Sequence, residues 1–352
     1  MAKIVAGFSS SHTPMMSLPG ENWGDRGGED QNRKDLIRPS DGAHVDYEGL
    51  LASADPAVTK QLNKETYVRK FENIQKRLNE LQRTFEQVNP DVVVMFGDDQ
   101  NELLYFDNYP SISVYWGEIL PHYPRLTSRP DMAGTSAIAA AVYGYEQIDY
   151  PVETKLGLHV IESLMDQDFD VGHSTYLKEE YTGTIGPSTW YLQNQYKTKA
   201  HRQGMPHAWS FPVCRWFADK RPPAVPIFMN TCYPPNWISP RRAYGLGRAV
   251  RQAIADWESD ARVAIVTSGG LSHFVVDEEI DRMAIKGLEE ANGEILTSLP
   301  RYKLQSATTE ILNWVAAAGA MGETRMETLC YEPGYRSPAG TGCGCAVGRW
   351  IP

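Results

Sequence analysis

Ile4-Val5-Ala6-Gly7-Phe8-Ser9-Ser10-Ser11-His12-Thr13-Pro14 is the stretch whose reading decides the fold. Its first three residues form an apolar run that reads as a buried strand. His12 falls just past the strand end, on a tight Ser-rich turn capped by Pro14. In open α/β sheets, ligands gather at the carboxyl ends of strands. A histidine there is placed to bind a metal or to move a proton. A turn histidine bonded to backbone is the plain alternative, so the weight falls on whether the pattern recurs.

It recurs. Asp91-Val92-Val93-Val94-Met95-Phe96 is a continuous apolar run of the buried parallel type. It ends at Gly97-Asp98-Asp99-Gln100-Asn101-Glu102, a second candidate site segment, with a solvated turn and Asp caps as the bland reading. Val263-Ala264-Ile265-Val266-Thr267 delivers Ser268-Gly269-Gly270-Leu271-Ser272-His273. Its paired glycines let the backbone turn sharply and approach a ligand. His273 thus stands in the same kind of place as His12. Val225 to Met229, closed by Asn230 to Pro235, and Ser111 to Tyr115 read as further strands.

Helices alternate with these strands. Tyr67, Phe71, Ile74, Leu78, Leu81 and Phe85 recur at spacings of three and four, one apolar stripe on an amphipathic helix. Ala137 to Tyr143, Val152 to Met165 with helix-face His159, and Ser239-Pro240 to about Trp257 read as helices. Ser306 to Ala318 is another, with Glu310 in its first turns. A glutamate there either complements the helix dipole or aims a carboxylate at a metal. His207 enters the apolar Phe211-Pro212-Val213 segment from a loop, as a site residue or as a support for the loop. Tyr335 to Val347, with glycines at 340, 342 and 344, reads as a glycine-rich turn into a final strand. The expectation is an α/β fold: one mixed or parallel sheet flanked by helices.

Two long insertions are expected over the site. Residues 15–57 read as an ordered flap, with Trp23, Tyr47 and a surface histidine, His44. Residues 173–205, rich in tyrosine and tryptophan, read as a second lid or an oligomer contact, hence an expected homo-oligomer. No linker cuts the 352 residues, so a single catalytic domain, 1–352, is expected. The net charge of −10, with no Lys/Arg block, lacks the footprint of nucleic-acid binding. The longest apolar runs are strand-length, so no membrane span is expected. Met-Ala-Lys-Ile-Val lacks the regions of a signal peptide. Five cysteines without a CxxC pair suit a reducing cytoplasm. Arg125, Arg241 and Arg242 read as surface charge, or as partners for a substrate carboxylate. Taken together, His12, His273, His207 and Glu310 suit a non-haem iron site with a proton-transfer histidine.

The motifs Ser10-Ser11-His12-Thr13-Pro14, Pro90-Asp91-Val92-Val93-Val94, Gly269-Gly270-Leu271-Ser272-His273 and Glu310-Ile311-Leu312-Asn313-Trp314 resemble, in that order, the class III extradiol ring-cleavage dioxygenases. That is the family of the protocatechuate 4,5-dioxygenase catalytic subunit. Asp98 to Glu102 with Tyr115 to Glu118 looks closer to its methylgallate dioxygenase branch. The resemblance implies Fe(2+) as cofactor, and a small aromatic diol and O2 as partners. The implied activity is opening of a catechol-type ring beside the diol, as in the catabolism of gallate, methylgallate or protocatechuate. It implies metal ligation by His12 and Glu310, acid/base work by His273, and a pocket role for His207. The family's second iron histidine falls on Gln100, a departure, because a glutamine carbonyl is a weaker donor than imidazole. His44 or Asp99 stand as alternatives for that ligand. A metal-dependent hydrolase on the same strand-end residues, or a binding protein that has lost iron, remain the other readings.

Overall fold

Val92, Val94 and Phe96 bury into one core and Val93 and Met95 into another, because successive side chains of a strand point to opposite faces. The same split separates Val263 and Ile265 from Ala264 and Val266. These runs are therefore apolar throughout because both faces of their sheet are covered. A computed structural model of the chain describes residues 1–100, 102–104, 108–124, 142–177, 203–217 and 219–352.

The described residues build a nine-stranded mixed sheet. Its strands are β1 (Lys3–Ser10), β2 (Val92–Gly97), β3 (Ile112–Tyr115), β4 (Gly172–Ser174) and β5 (Ala224–Met229). They continue as β6 (Arg262–Ser268), β7 (His273–Val275), β8 (Met326–Tyr335) and β9 (Thr341–Trp350). The order is β7-β9-β1-β6-β2-β5-β3-β4, with β8 paired to β9. At its centre β1, β6, β2 and β5 run parallel, with Ser10 opposite Ser268 and Thr267 opposite Phe96. Their carboxyl ends therefore open on one edge.

Helices α1 (Lys64–Val88) and α3 (His207–Arg215) share one core with one face of the sheet. Helices α2 (Thr154–Asp166), α4 (Pro240–Asp256), α5 (Glu278–Glu289) and α6 (Ile311–Met321) share the other. In α1 the expected stripe is buried at Tyr67, Ile74, Leu78, Leu81 and Phe85, whereas Phe71 is only half-buried. Lys70 takes an inner place because its ammonium donates to Gln61 Oε1 and Pro333 O, both at 2.6 Å. Asn63 caps the helix start by accepting from Thr66 N, and Asn89 ends it in the left-handed region at φ 45°.

Two expectations change in detail and one stands. Residues 15–57 carry short helices, among them Trp23–Glu29 and Tyr47–Leu51, and a two-stranded ribbon of Leu36–Ile37 with His44–Val45. Leu36, Tyr47 and Leu50 pack on Val275 and Ala339, and Arg33 lies 4.2 Å over the Phe274 ring, beside His273. The glycine-rich end is a turn into a final strand, as expected: Arg336 to Gly340 turn, with Gly340 at φ +80°, and Thr341 to Trp350 is one strand paired with β1, β7 and β8. Its glycines serve close approach, since a Cβ on Gly344 would sit 2.1 Å from Asp281 Oδ2. The helix expected from Ser306 begins as a 3-10 turn, Ser306–Glu310, and becomes α-helical at Ile311. Most of the second insertion, 178–202, and of the expected helix at 137–143, together with Arg125, lies outside the described residues. Among the described residues no helix is long and apolar enough to cross a membrane.

Candidate metal centre

The open edge gathers His12 after β1, Asp98 to Glu102 after β2, and Ser268 to His273 after β6. Glu310 arrives from the opposite side, at the junction of the 3-10 turn and α6. Two contacts fix that approach: Trp314 Nε1 donates to Gly269 O at 2.7 Å, and Asn313 Nδ2 donates to Ser268 O at 3.0 Å. Gly269, at φ +134°, permits the close passage. A Cβ there would lie 2.8 Å from Asn313 Nδ2 and 3.1 Å from Glu310 Cβ.

Glu310 is fully buried and is the hub of the site. Its Oε2 lies 3.1 Å from His12 Nε2 and accepts from Gly270 N at 2.9 Å. Its Oε1 lies 3.4 Å from His273 Nε2 and accepts from Gln100 Nε2 at 3.2 Å. Burial would raise this carboxyl, but the His273 and His12 imidazoles outweigh it and hold it well below the usual range. His12 itself is pushed down, by burial first, with Glu310 opposing. Its Nδ1 is 2.7 Å from Ser268 Oγ, which turns Nε2 toward Glu310.

His207, the first residue of α3 rather than a loop residue, lies with its ring 4.5 Å from that of His12, edge to face. Its Nδ1 is 3.0 and 2.9 Å from the two oxygens of Glu102, and its backbone N donates to Oε1 as well. Burial lowers the His207 pKa, but Glu102 overcomes that and carries it up to about 10. Glu102, which the sequence places only as one acid of a polar cluster, is thus the partner of His207 and also accepts from Tyr143 Oη at 2.6 Å. No local spacing links residues 102 and 207, so only the fold reveals the pair.

The two alternative ligands are occupied elsewhere. His44 is exposed, with Nδ1 2.6 Å from Asp35 and Nε2 3.0 Å from Gln305. Asp99 accepts from the backbone N–H groups of Glu102, Leu103 and Leu104, and so shapes its own loop. Burial, reinforced by Glu102, pushes its carboxyl up to about 7. Gln100 does reach Glu310, but through its amide nitrogen.

The donor set fits a divalent transition metal. Ligand atoms of His12, His207 and Glu310 lie within 4.8 Å of one another, all buried. Imidazole with carboxylate is the donor chemistry of non-haem iron sites. Asp98 Oδ2 and Asn313 Oδ1 are buried beside this set without a hydrogen-bond partner. Asp98 is pushed well up, by burial first and then by Glu310.

A family model, the catalytic LigB subunit of aromatic ring-opening dioxygenase, matches residues 50–340, and the chain belongs to that family. The matched span contains Gln100, His207, His273 and Glu310 and begins after His12. The chain is also similar to the 2,3-dihydroxyphenylpropionate/2,3-dihydroxicinnamic acid 1,2-dioxygenase of Mycolicibacterium smegmatis, at 29% identity over 189 residues. That match covers 53% of this chain and 45% of the relative, less than half its length. Among solved structures, an uncharacterized protein of Escherichia coli K12 is similar at a TM-score of 0.39 and 11% identity. It covers 76% of this chain and 91% of that one, and a likeness so slight carries no argument.

Proposed function

We propose that this chain is an extradiol ring-cleavage dioxygenase that opens a catechol-type ring with O2, using Fe(2+). The observation that carries the reading is the buried Glu310 carboxylate met by His12 and His273 at 3.1 and 3.4 Å. Family membership supports the reaction class. The substrate is a small aromatic with adjacent hydroxyls: a gallate, methylgallate or protocatechuate type, or the dihydroxyphenyl type named for the relative. Free thiols at all five cysteines agree with action in a reducing cytoplasm.

His12 and Glu310 hold the metal, with a third protein ligand from the 98–102 segment or from α3. Iron, when bound, serves as template and Lewis acid for the diol and oxygen. The protein supplies the proton chemistry. His273 Nδ1 donates to Leu271 O at 2.9 Å, so Nε2 is the nitrogen that faces the site. That nitrogen exchanges a proton with a substrate hydroxyl as the ring opens. Ser268 keeps His12 in its ligating orientation. The fully buried walls at Glu310 and Trp314 keep water from the reacting atoms.

The test is anaerobic loading with Fe(2+), then oxygen uptake with protocatechuate, gallate, methylgallate, catechols and 2,3-dihydroxyphenylpropionate. One O2 consumed per ring, with a yellow ring-opened product, is expected for at least one diol. Stoichiometric iron with no uptake across the panel would sink the proposal.

A further inference from the structure

We infer that His207 is the third protein ligand of the metal, and that Gln100 is a positioning residue which ties the ligand shell together. The inference rests on the reading of this site as a metal centre. It concerns the position where this chain departs from the pattern it resembles.

Three observations carry it. First, one ring nitrogen of His207 belongs to the set with His12 and Glu310 in which all ligand atoms lie within 4.8 Å. His273 is not in that set. It approaches Oε1 of Glu310, whereas His12 approaches Oε2. His273 therefore stands to one side, where a substrate proton can reach it.

Second, His207 is built as ligating histidines are. Such residues give their other ring nitrogen to a carboxylate or hydroxyl, which fixes the tautomer and raises basicity. His207 Nδ1 is held by both oxygens of Glu102 at 3.0 and 2.9 Å, which leaves Nε2 as the free nitrogen. His12 is arranged in the same way, with Nδ1 on Ser268. Both rings are nearly buried, at 6% and 8% exposure, and stand edge to face at 4.5 Å.

Third, Gln100 is engaged elsewhere. Its side-chain nitrogen donates to Glu310 Oε1 at 3.2 Å, and its backbone N donates to Glu102 Oε2 at 3.2 Å. It thus joins the carboxylate that ligates to the carboxylate that backs His207. An amide carbonyl is also a weaker partner for iron than imidazole. The imidazole absent from position 100 is supplied from α3, a different element, and the set of two histidines and one carboxylate is kept.

Metal-free protein titrated with Co(2+) alone under anaerobic conditions, and Cu(2+)-loaded protein examined by pulsed electron spin resonance, test this without turnover. The wild type should show two coordinated imidazoles. His207→Gln should show one and should bind Co(2+) at least roughly a hundredfold more weakly. Gln100→His combined with His207→Gln should recover the second imidazole and most of the affinity. Glu102→Gln should weaken Co(2+) binding by roughly 10–100-fold with the count still two, and it tests the arrangement even if His207→Gln fails to fold. Two imidazoles and wild-type affinity in His207→Gln would overturn the inference and leave the dioxygenase reading standing. So would loss of an imidazole in His273→Ala. A wild type that binds no Co(2+) would overturn both.

Discussion

At the scale of the residue, one carboxylate decides the site. Glu310 is fully buried and receives two imidazoles, an amide and a backbone N–H. Glu310→Gln keeps the volume and removes the charge. Metal analysis after Fe(2+) loading should then find less than about a tenth of the wild-type iron, since a hard anionic ligand is lost. His273→Ala should behave oppositely. Iron should stay bound while single-turnover ring opening slows by roughly 10²–10⁴-fold, the usual contribution of a placed acid/base group. Iron loss in that variant would make His273 a ligand instead. His12, His273 and Glu310 were legible because each sits at a boundary that periodicity can mark: a strand end, a Gly-Gly turn, a helix start. The pairing of Glu102 with His207 was not legible. It joins residues 105 apart in sequence, and neither carries a local signal of the other. Gln100 was legible as a departure but not in its role, since only the folded chain shows its amide on Glu310.

At the scale of the element, the turn after β6 is the most constrained piece. Gly269 holds φ +134° and passes between Asn313 and Glu310 with no room for a Cβ. Gly269→Ala should lower stability by about 1–3 kcal/mol through backbone strain, read by urea unfolding. It should also weaken iron binding by displacing Glu310. A variant with wild-type stability and iron content would show that the turn relaxes freely. The parallel strands and α1 were plain in sequence, because doubly buried strands are apolar throughout and α1 carries a single stripe. The turn into the last strand was legible from its glycines, but the pairing of β8 with β9 was not. Gly342 and Gly344 lie within β9, where they are small because Gly334 and Asp281 press against them. The short helices within 15–57 were hidden for a related reason: their segments are too brief for periodicity to emerge.

At the scale of the whole molecule, the 15–57 segment is locked to the C-terminal hairpin by a buried ion pair. Arg336 Nε meets Asp30 Oδ2 at 2.6 Å, and both side chains are nearly inaccessible. Burial would raise the Asp30 pKa, but Arg336 holds it below 3.8. The pair's contribution to stability is therefore complete above that value and is lost as pH falls through the lower folded value. Asp30→Asn should destabilise by about 3–5 kcal/mol, because Arg336 is left charged and unpaired in the interior. Thermal melts at pH 7 check this, and the gap to wild type should narrow in acid below that range. Metal should act on the whole fold too. At a free concentration about a hundred times Kd, stability should rise by about 2.7 kcal/mol, seen as a raised melting temperature that a chelator reverses. An unchanged melt would mean that the site does not load. The sheet order places β1, which leads to His12, between β6 and β9, so that Ser10 lies opposite Val347. Strands from near the two ends of this sequence are thus neighbours. On the ribosome, at about 5–20 residues per second, β1 waits roughly 20–70 s for the strand that flanks it. A metal ion that arrives before Glu310 has been made would meet only part of its ligand set.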